Sequence, residues 1–355
     1  MVDSAGIDQE SPNQQKVRLA TLWSSWQIGA NLIWAYLGVL AVDLGATGLE
    51  QSMVSGVQTL GNASLQSVWG NFADRLGRRP LLFLGFFAIG MTAALMPLAP
   101  NALTLIIILL VPTVIGSAAI PAWNGLLGDL TTLSERGRFI GKIQVMGTIA
   151  SSIVLIIVGY FALHIGIMSL SGFHLPFLVA TVSFFIAVIC VLCLRETLRR
   201  EKEVTNGFRK VIAATPHFSH FLLVSAVFFL TMGAAWPLFP VVTRGILVAD
   251  DFQIALVSAL FILCSGAAQI GGGFLTDHFG RKPILFLSRF LIFLAPLSHL
   301  LGAVTLNIWF LVPSNIAGGI LTGFFVVSST SWLLDSSPAE IRSSVIAIFN
   351  VVSGV

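Results

Sequence analysis

Long stretches of this chain hold no basic residue, and their lengths constrain the fold more than any other feature. No Lys or Arg occurs in the 56 residues between Arg18 and Arg75, nor in the 56 between Arg79 and Arg136. The same is true of the 52 between Lys142 and Arg195 and the 52 between Arg289 and Arg342. The 70 between Lys210 and Arg281 hold only Arg244. A helix that crosses a bilayer needs about 20 apolar residues. Each gap therefore holds two spans and a short turn, and the five gaps predict ten spans. Composition agrees: 10% of residues are charged, against about 25% in soluble domains. The net charge of +3 is too small to point to nucleic acid.

This pairing of spans puts eighteen of the nineteen basic residues on one side, with Arg244 alone on the other. Basic loops stay cytoplasmic, so the N-terminus is expected inside, in the cell membrane. The opposite loops carry Asp43, Glu50, Asp250 and Asp251. Residues 1–15 are polar, and the first apolar run has the length of a span rather than of a signal peptide.

Hydrophobic runs and their breakers place spans near 18–42, 51–72, 81–99, 102–127, 139–166, 173–194, 218–243, 251–274, 284–304 and 307–333, with an eleventh from about 343. The longest polar stretch, 195–217, reads as a cytoplasmic linker. It separates a tail (1–16) and a first half (17–194) from a second half (218–355). After Arg342 only 13 residues remain, which reach about 20 Å at 1.5 Å per residue, short of a ~30 Å hydrocarbon core. The expected architecture is an all-α, polytopic membrane protein of two pseudo-repeated six-helix halves, the second truncated in helix 11. A bundle ending there is expected to be impaired unless another segment completes it.

An internal repeat supports the two halves. The run from Gly70 through Asp74, Arg75, Gly77, Arg78 and Arg79 to Pro80 recurs from Gly273 through Asp277, Gly280, Arg281 and Lys282 to Pro283. Farther along, Asp129 and Arg136 recur as Asp335 and Arg342 at nearly the same offset. Duplicated halves of parallel topology are a transporter architecture.

The repeated Gly-x-x-x-Asp-x-x-Gly-Arg-(Arg/Lys) loop, at the same span boundary in each half, resembles the signature loop of the major facilitator superfamily. The Arg136-Gly137-Arg138 loop and the Arg195-Glu196-Thr197 segment look like that family too, and the likeness runs from about residue 17. Gly70 and Gly273 would let helices approach closely, and Gly77 and Gly280 would permit a tight turn. Asp74 and Asp277 sit where a neighbouring helix N-terminus favours an anion. The resemblance implies a latch on the cytoplasmic side: Asp74, Arg78 and Asp129, with Asp277, Arg281 and Asp335 as its counterpart. Arg75, Arg79, Lys282, Arg136 and Arg342 join this gating set. Arg79 and Lys282 could equally meet lipid headgroups or serve as topology signals.

Charged residues all fall at or near span ends by these boundaries, which argues against a buried carboxylate relay and against a strongly charged substrate. Trp23, Gln27, Asn31 and Trp34 share one helical face. The resemblance places spans one, four, seven and ten around a central cavity, so Gln27, Asn31, Trp34, Trp236 and Asn315 are candidates to line it. The alternative is interhelical hydrogen bonding for the amides and packing for the tryptophans. Span five reads Gly147-Thr148-Ile149-Ala150-Ser151-Ser152-Ile153, without the Pro of drug–proton antiporters. Cys190, Cys193 and Cys264 lie in apolar runs and read as packed thiols; a zinc site would want four ligands. No catalytic set stands out, so neither enzyme activity, metal nor cofactor is expected. Function reads as secondary transport of a small neutral or amphipathic organic solute by alternating access, with a proton as a candidate coupling ion. Efflux of a drug or metabolite and uptake by a permease both fit; the rival class is a non-transporting membrane sensor or assembly partner. The oligomeric state is left open.

Overall fold

The computed structural model describes residues 12–64, 69, 72, 76–130, 133–165, 174–194, 208–338 and 341–353. These form helices α1 Pro12–Asp43, α2 Gly48–Ser64, α3 Arg78–Leu95, α4 Ala102–Gly116, α5 Ala119–Leu130, α6 Leu133–Ile165, α7 His174–Leu192, α8 Phe208–Ala214 and α9 Phe218–Ala235. They continue as α10 Asp251–Phe279, α11 Arg281–Leu291, α12 Leu294–Thr305, α13 Leu311–Ser336 and α14 Arg342–Ser353. No strand occurs among the described residues. Nine segments among them are long and apolar enough to cross a membrane. The expected second span, 51–72, runs into residues outside the description.

Local sequence explains where three of the helices start or stop. Gly45 takes a positive φ of 76°, and the Ala46 amide bonds back to the Ala41 carbonyl, which closes α1. Asn101 caps α4 through its side chain to the Thr104 amide at 2.9 Å. Asp250 and Gln253 form a reciprocal capping box at the start of α10. Three expected spans are not single helices. Span four breaks between α4 and α5 at Ser117 and Ala118, just beyond Thr113 and the helix-disrupting Pro112. Span seven breaks after α9 at Trp236-Pro237 and continues through a short turn into a π-helix, Val241–Ile246. Span nine breaks at Ile292 and Phe293, between α11 and α12.

The bundle packs α1 against α6 and α7, α3 against α4 and α7, and α2 against α4. In the second half α13 packs on α10, α11 and α12, while α10 crosses to α6. Glycines set the closest approach there. A Cβ at Gly323 would lie 2.5 Å from the Ser265 carbonyl, and one at Gly319 would collide with the Phe261 carbonyl. The pair therefore lets α13 press directly onto α10. Large apolar side chains such as Leu230, Phe274 and Val304 stay exposed. A bilayer would cover such residues, since lipid tails are as apolar as Leu.

Candidate functional site

The repeated motif folds the same way at both of its turns. Gly77 has φ 99° and ψ 160°, and Gly280 has φ 86° and ψ 161°. That region is essentially open to glycine alone, so the two glycines are fixed by backbone geometry. Gly70, Asp74 and Arg75 lie outside the described residues, and of Asp129, Arg136 and Arg342 only the backbone is described.

Arg78 and Arg79, at the start of α3, reach backbone carbonyls of neighbouring helices, Arg78 midway along α5 and Arg79 at the end of α7. Arg78 bonds the Gly125 carbonyl in α5. Arg79 bonds the Val191 carbonyl at 3.2 Å and also the Leu192 carbonyl, at the end of α7. Arg18 joins them on the Cys193 carbonyl at 2.6 Å. At the end of α7 the last carbonyls run out of helical partners and carry the negative end of the dipole, so the Arg79 and Arg18 guanidinium groups suit them. In the second half, Arg281 Nε lies 2.5 Å from an Asp335 oxygen, tying the start of α11 to the end of α13. Each charge opposes the dipole of its own helix, and the pair offsets both. Their side chains are 36% and 51% exposed, so the net contribution is about 0–1 kcal/mol. Lys282 and Asp277 are exposed. The close approach expected at Gly273 is not there: a Cβ would meet nothing within 4 Å. It is Gly272, one position earlier on the helix, that faces Phe324 of α13.

Two cavities lie between the helices, of about 460 and 380 Å³. The larger is walled by α1, α2, the Trp236–Pro240 turn, α10, α12 and α13. Trp34, Trp236 and Asn315 line it, and Trp34 stacks on Phe261 at 5.0 Å. Asn31 borders the smaller cavity and donates to Ser151 Oγ at 2.9 Å, bridging α1 to α6. Gln27 lines neither of the two; it packs where a Cβ on Gly147 would sit, 3.0 Å from its Cγ. Of the five candidates, three thus meet in one cavity, one bridges beside the other, and one packs.

Sequence reasoning missed three residues here. Gln51 lines the larger cavity, donates to the Gly38 carbonyl at 3.2 Å and leaves its Oε1 buried without a partner among the described residues. Its seven-residue spacing to Gln58, one helical face, was a usable signal. His299 is 6% exposed, also lines this cavity and stacks on Phe239 at 4.0 Å. Arg289 corrects the expectation that every charge sits at a span end. It is the ninth residue of α11, about 12 Å up the helix at 1.5 Å per residue, and its Cζ lies 3.5 Å from the Phe228 ring and 3.4 Å from the Phe325 ring. Its Nη2 is buried without a hydrogen-bond partner among the described residues. Cation–π attraction to the rings takes the place of an acid.

One end of the larger cavity is closed by contacts between the two parts of the chain. Arg244 Nε lies 3.1 and 3.2 Å from the two Asp43 oxygens, and its Nη1 is 2.6 Å from the Ala249 carbonyl and 3.6 Å from Asp251. The buried Tyr36 hydroxyl donates to the Asp251 carbonyl at 2.9 Å. Pro240 packs so close to Gly38 that a Cβ there would lie 2.5 Å from its Cγ. At the same end a Cβ on Gly159 of α6 would lie 3.0 Å from the Asp251 carbonyl and 3.1 Å from the Tyr36 hydroxyl. Arg244, the basic residue that the pairing of spans sets apart from all the others, is therefore the centre of this closure.

Residues 25–355 match the family model of the Major Facilitator Superfamily. The chain belongs to the major facilitator superfamily. It is thus a multi-pass membrane protein of a transporter family rather than an enzyme. Among curated relatives, Multidrug resistance protein MdtG of Escherichia fergusonii is 24% identical over 72% of this chain and 64% of its own length. The match therefore spans less than two thirds of that relative. The uncharacterized MFS-type transporter YdeG of Bacillus subtilis is 25% identical over 86% of this chain and 74% of its own. Solved structures share the fold. The nucleoside transporter NupG superimposes with a TM-score of 0.75 at 13% identity, covering 96% of this chain and 87% of that one. A bacterial homolog to the human lysosomal transporter Spinster gives 0.73 at 15% identity, covering 98% and 80%.

Proposed function

We propose that this superfamily member moves a small neutral or amphipathic organic solute across the cell membrane by alternating access, with the N-terminus cytoplasmic. The observation that carries this reading is the larger cavity, closed at the Asp43–Arg244 end by pairs that join the first part of the chain to the second. By the distribution of basic residues, that end faces outward and the Arg78 and Arg281 end faces the cytoplasm. A volume of about 460 Å³ falls within the range of small-molecule sites. Its wall offers aromatic faces at Trp34, Trp236 and Phe239 and amides at Gln51, Gln58 and Asn315. Such a wall suits an aromatic or heterocyclic body with hydrogen-bonding edges.

Reconstitution in vesicles tests the proposal. Flux of tritiated uridine and of the amphipathic dye rhodamine 6G is measured with and without a pH gradient. Protein-dependent flux of one of them, reduced by Trp34→Ala and Gln51→Leu, is expected. Absence of flux for both probes would sink this assignment of solute class. Flux untouched by both substitutions would show that the cavity is not the path.

A further inference from the structure

Of the residues that line the two cavities, one alone has a side chain that titrates in the neutral range, and it is His299. We propose that His299 is the proton-binding group of the transport cycle, taking up its proton on Nε2 from the Asp43–Arg244 side of the cavity. This rests on the transport reading above and names the residue that couples it to a proton.

The hydrogen bonds fix which nitrogen is basic. His299 Nδ1 lies 3.1 Å from the Ala295 carbonyl and 2.8 Å from Ser314 Oγ. A carbonyl only accepts, so Nδ1 carries the hydrogen. Ser314 donates its own hydrogen to the same carbonyl, at 2.9 Å, and its oxygen is left to accept from Nδ1. The neutral ring therefore keeps its lone pair on Nε2, which takes no hydrogen bond from a described residue. Nε2 is also absent from the buried polar atoms that lack a partner among the described residues. It is consequently open to the cavity that the residue lines. A proton arriving from water adds to that lone pair, makes an imidazolium with Nδ1 still held in place, and leaves from the same atom.

The surroundings suit a reversible site rather than a permanent ion pair. The α12 helix packs against α13, the Ile308–Phe310 turn and the Val241–Ile246 π-helix. On these elements the charged residues are Asp335, at the far end of α13, and Arg244, which is already engaged with Asp43, Asp251 and the Ala249 carbonyl. Among the described residues, no carboxylate therefore contacts the ring to lock it as a cation. One ring face is stacked on Phe239, 11° from parallel, and Phe239 sits in the broken stretch of span seven that also holds Pro240 against Gly38. Protonation raises the cost of burial and favours the arrangement in which water reaches the ring. From the outer face, water reaches the ring only when the Asp43–Arg244 end parts. Proton binding and opening of that end are thus two views of one equilibrium.

The test needs no substrate. In nanodiscs, histidine-selective ¹⁵N labelling reports tautomer and charge of the ring, with His299→Asn identifying its signals. The expected result is an Nδ1–H tautomer at alkaline pH that converts reversibly to imidazolium on acidification. In parallel, Ser258→Cys, in a background lacking Cys190, Cys193 and Cys264, places a thiol in the cavity wall. Its labelling by an impermeant maleimide added at the outer face, normalised at each pH to that of the denatured protein because the thiolate is the nucleophile, is expected to rise severalfold on acidification. His299→Gln and His299→Asn are expected to abolish that rise, and His164→Gln, on an exposed helix end, to leave it intact. An Nε2–H tautomer, a ring that does not titrate, or a pH response that survives His299→Gln overturns the proposal. Titration without flux of any solute would count instead against the transport reading, so the two can fail separately.

Discussion

Removing the charge of Arg244 should release the closed end of the cavity, and the size of the effect follows from its contacts. The guanidinium Nε meets both oxygens of Asp43 at 3.1 and 3.2 Å. Hydrogen bonds to charged groups contribute about 1.5–3 kcal/mol. The side chains are 22% and 29% exposed, and water lowers such pairs toward about 1 kcal/mol. For Arg244→Gln we expect a loss near ~1.4 kcal/mol, which is about a tenfold fall in the ratio of closed to open forms. Asp43→Asn keeps an acceptor and loses only the charge, so it should cost less. Spin labels at Leu49 and Val248, both exposed beside this closure, report the distance across it. Double electron–electron resonance should show the short-distance population of the parent shrinking in Arg244→Gln and less so in Asp43→Asn. The double variant should resemble Arg244→Gln alone. Single effects that simply add, with a coupling below about 0.3 kcal/mol, would refute the claim that these two residues act as a pair. An unchanged distance distribution would refute the closure itself. Raised salt should act in the same direction as the substitution, since it screens partly exposed charges.

Other consequences concern packing and backbone. Gly323→Ala should destabilise the protein by about 1–3 kcal/mol, because a well-packed interface must shift to admit the methyl; thermal unfolding in detergent reads this directly. Gly77→Ala and Gly280→Ala should each cost about 1–3 kcal/mol through backbone strain, and equal losses at the two sites are the expected signature of one repeated turn. Arg289→Met keeps the side-chain stem among Phe228, Phe229 and Phe325 while removing a buried charge that faces no acid among the described residues. Its stability should match or exceed the parent, since a well-packed apolar substitute often outperforms a buried charge. Arg289→Ala, which empties the cage, should lower the unfolding temperature. A lower temperature for the Met variant would show that the guanidinium, rather than its stem, holds that layer together.

What this sequence determined by itself is the order of its apolar spans, the repeated turn and the family. Those follow from one-dimensional quantities. Span length is set by bilayer thickness, and side preference by where Lys and Arg fall. The glycine at each turn is set by a backbone conformation that no other residue holds cheaply. Candidates from helical spacing met a mixed outcome for a clear reason. Periodicity says which residues share a face of one helix, yet the neighbour across that face decides their role. Trp34 and Asn31 share a face of α1. Trp34 reached the larger cavity, whereas Asn31 found Ser151 of α6. Breaks in spans four, seven and nine were equally hard to foresee, because a proline inside a membrane helix is tolerated whenever neighbours satisfy the freed backbone groups. Only the tertiary structure placed Arg244 on Asp43, two hundred and one residues apart in the chain. It alone brought His299 against Phe239 and Ser314, and Arg289 among three phenylalanines. Those juxtapositions depend on how helices cross, and a solitary His or Arg carries no periodic signal from which a partner on another helix can be read.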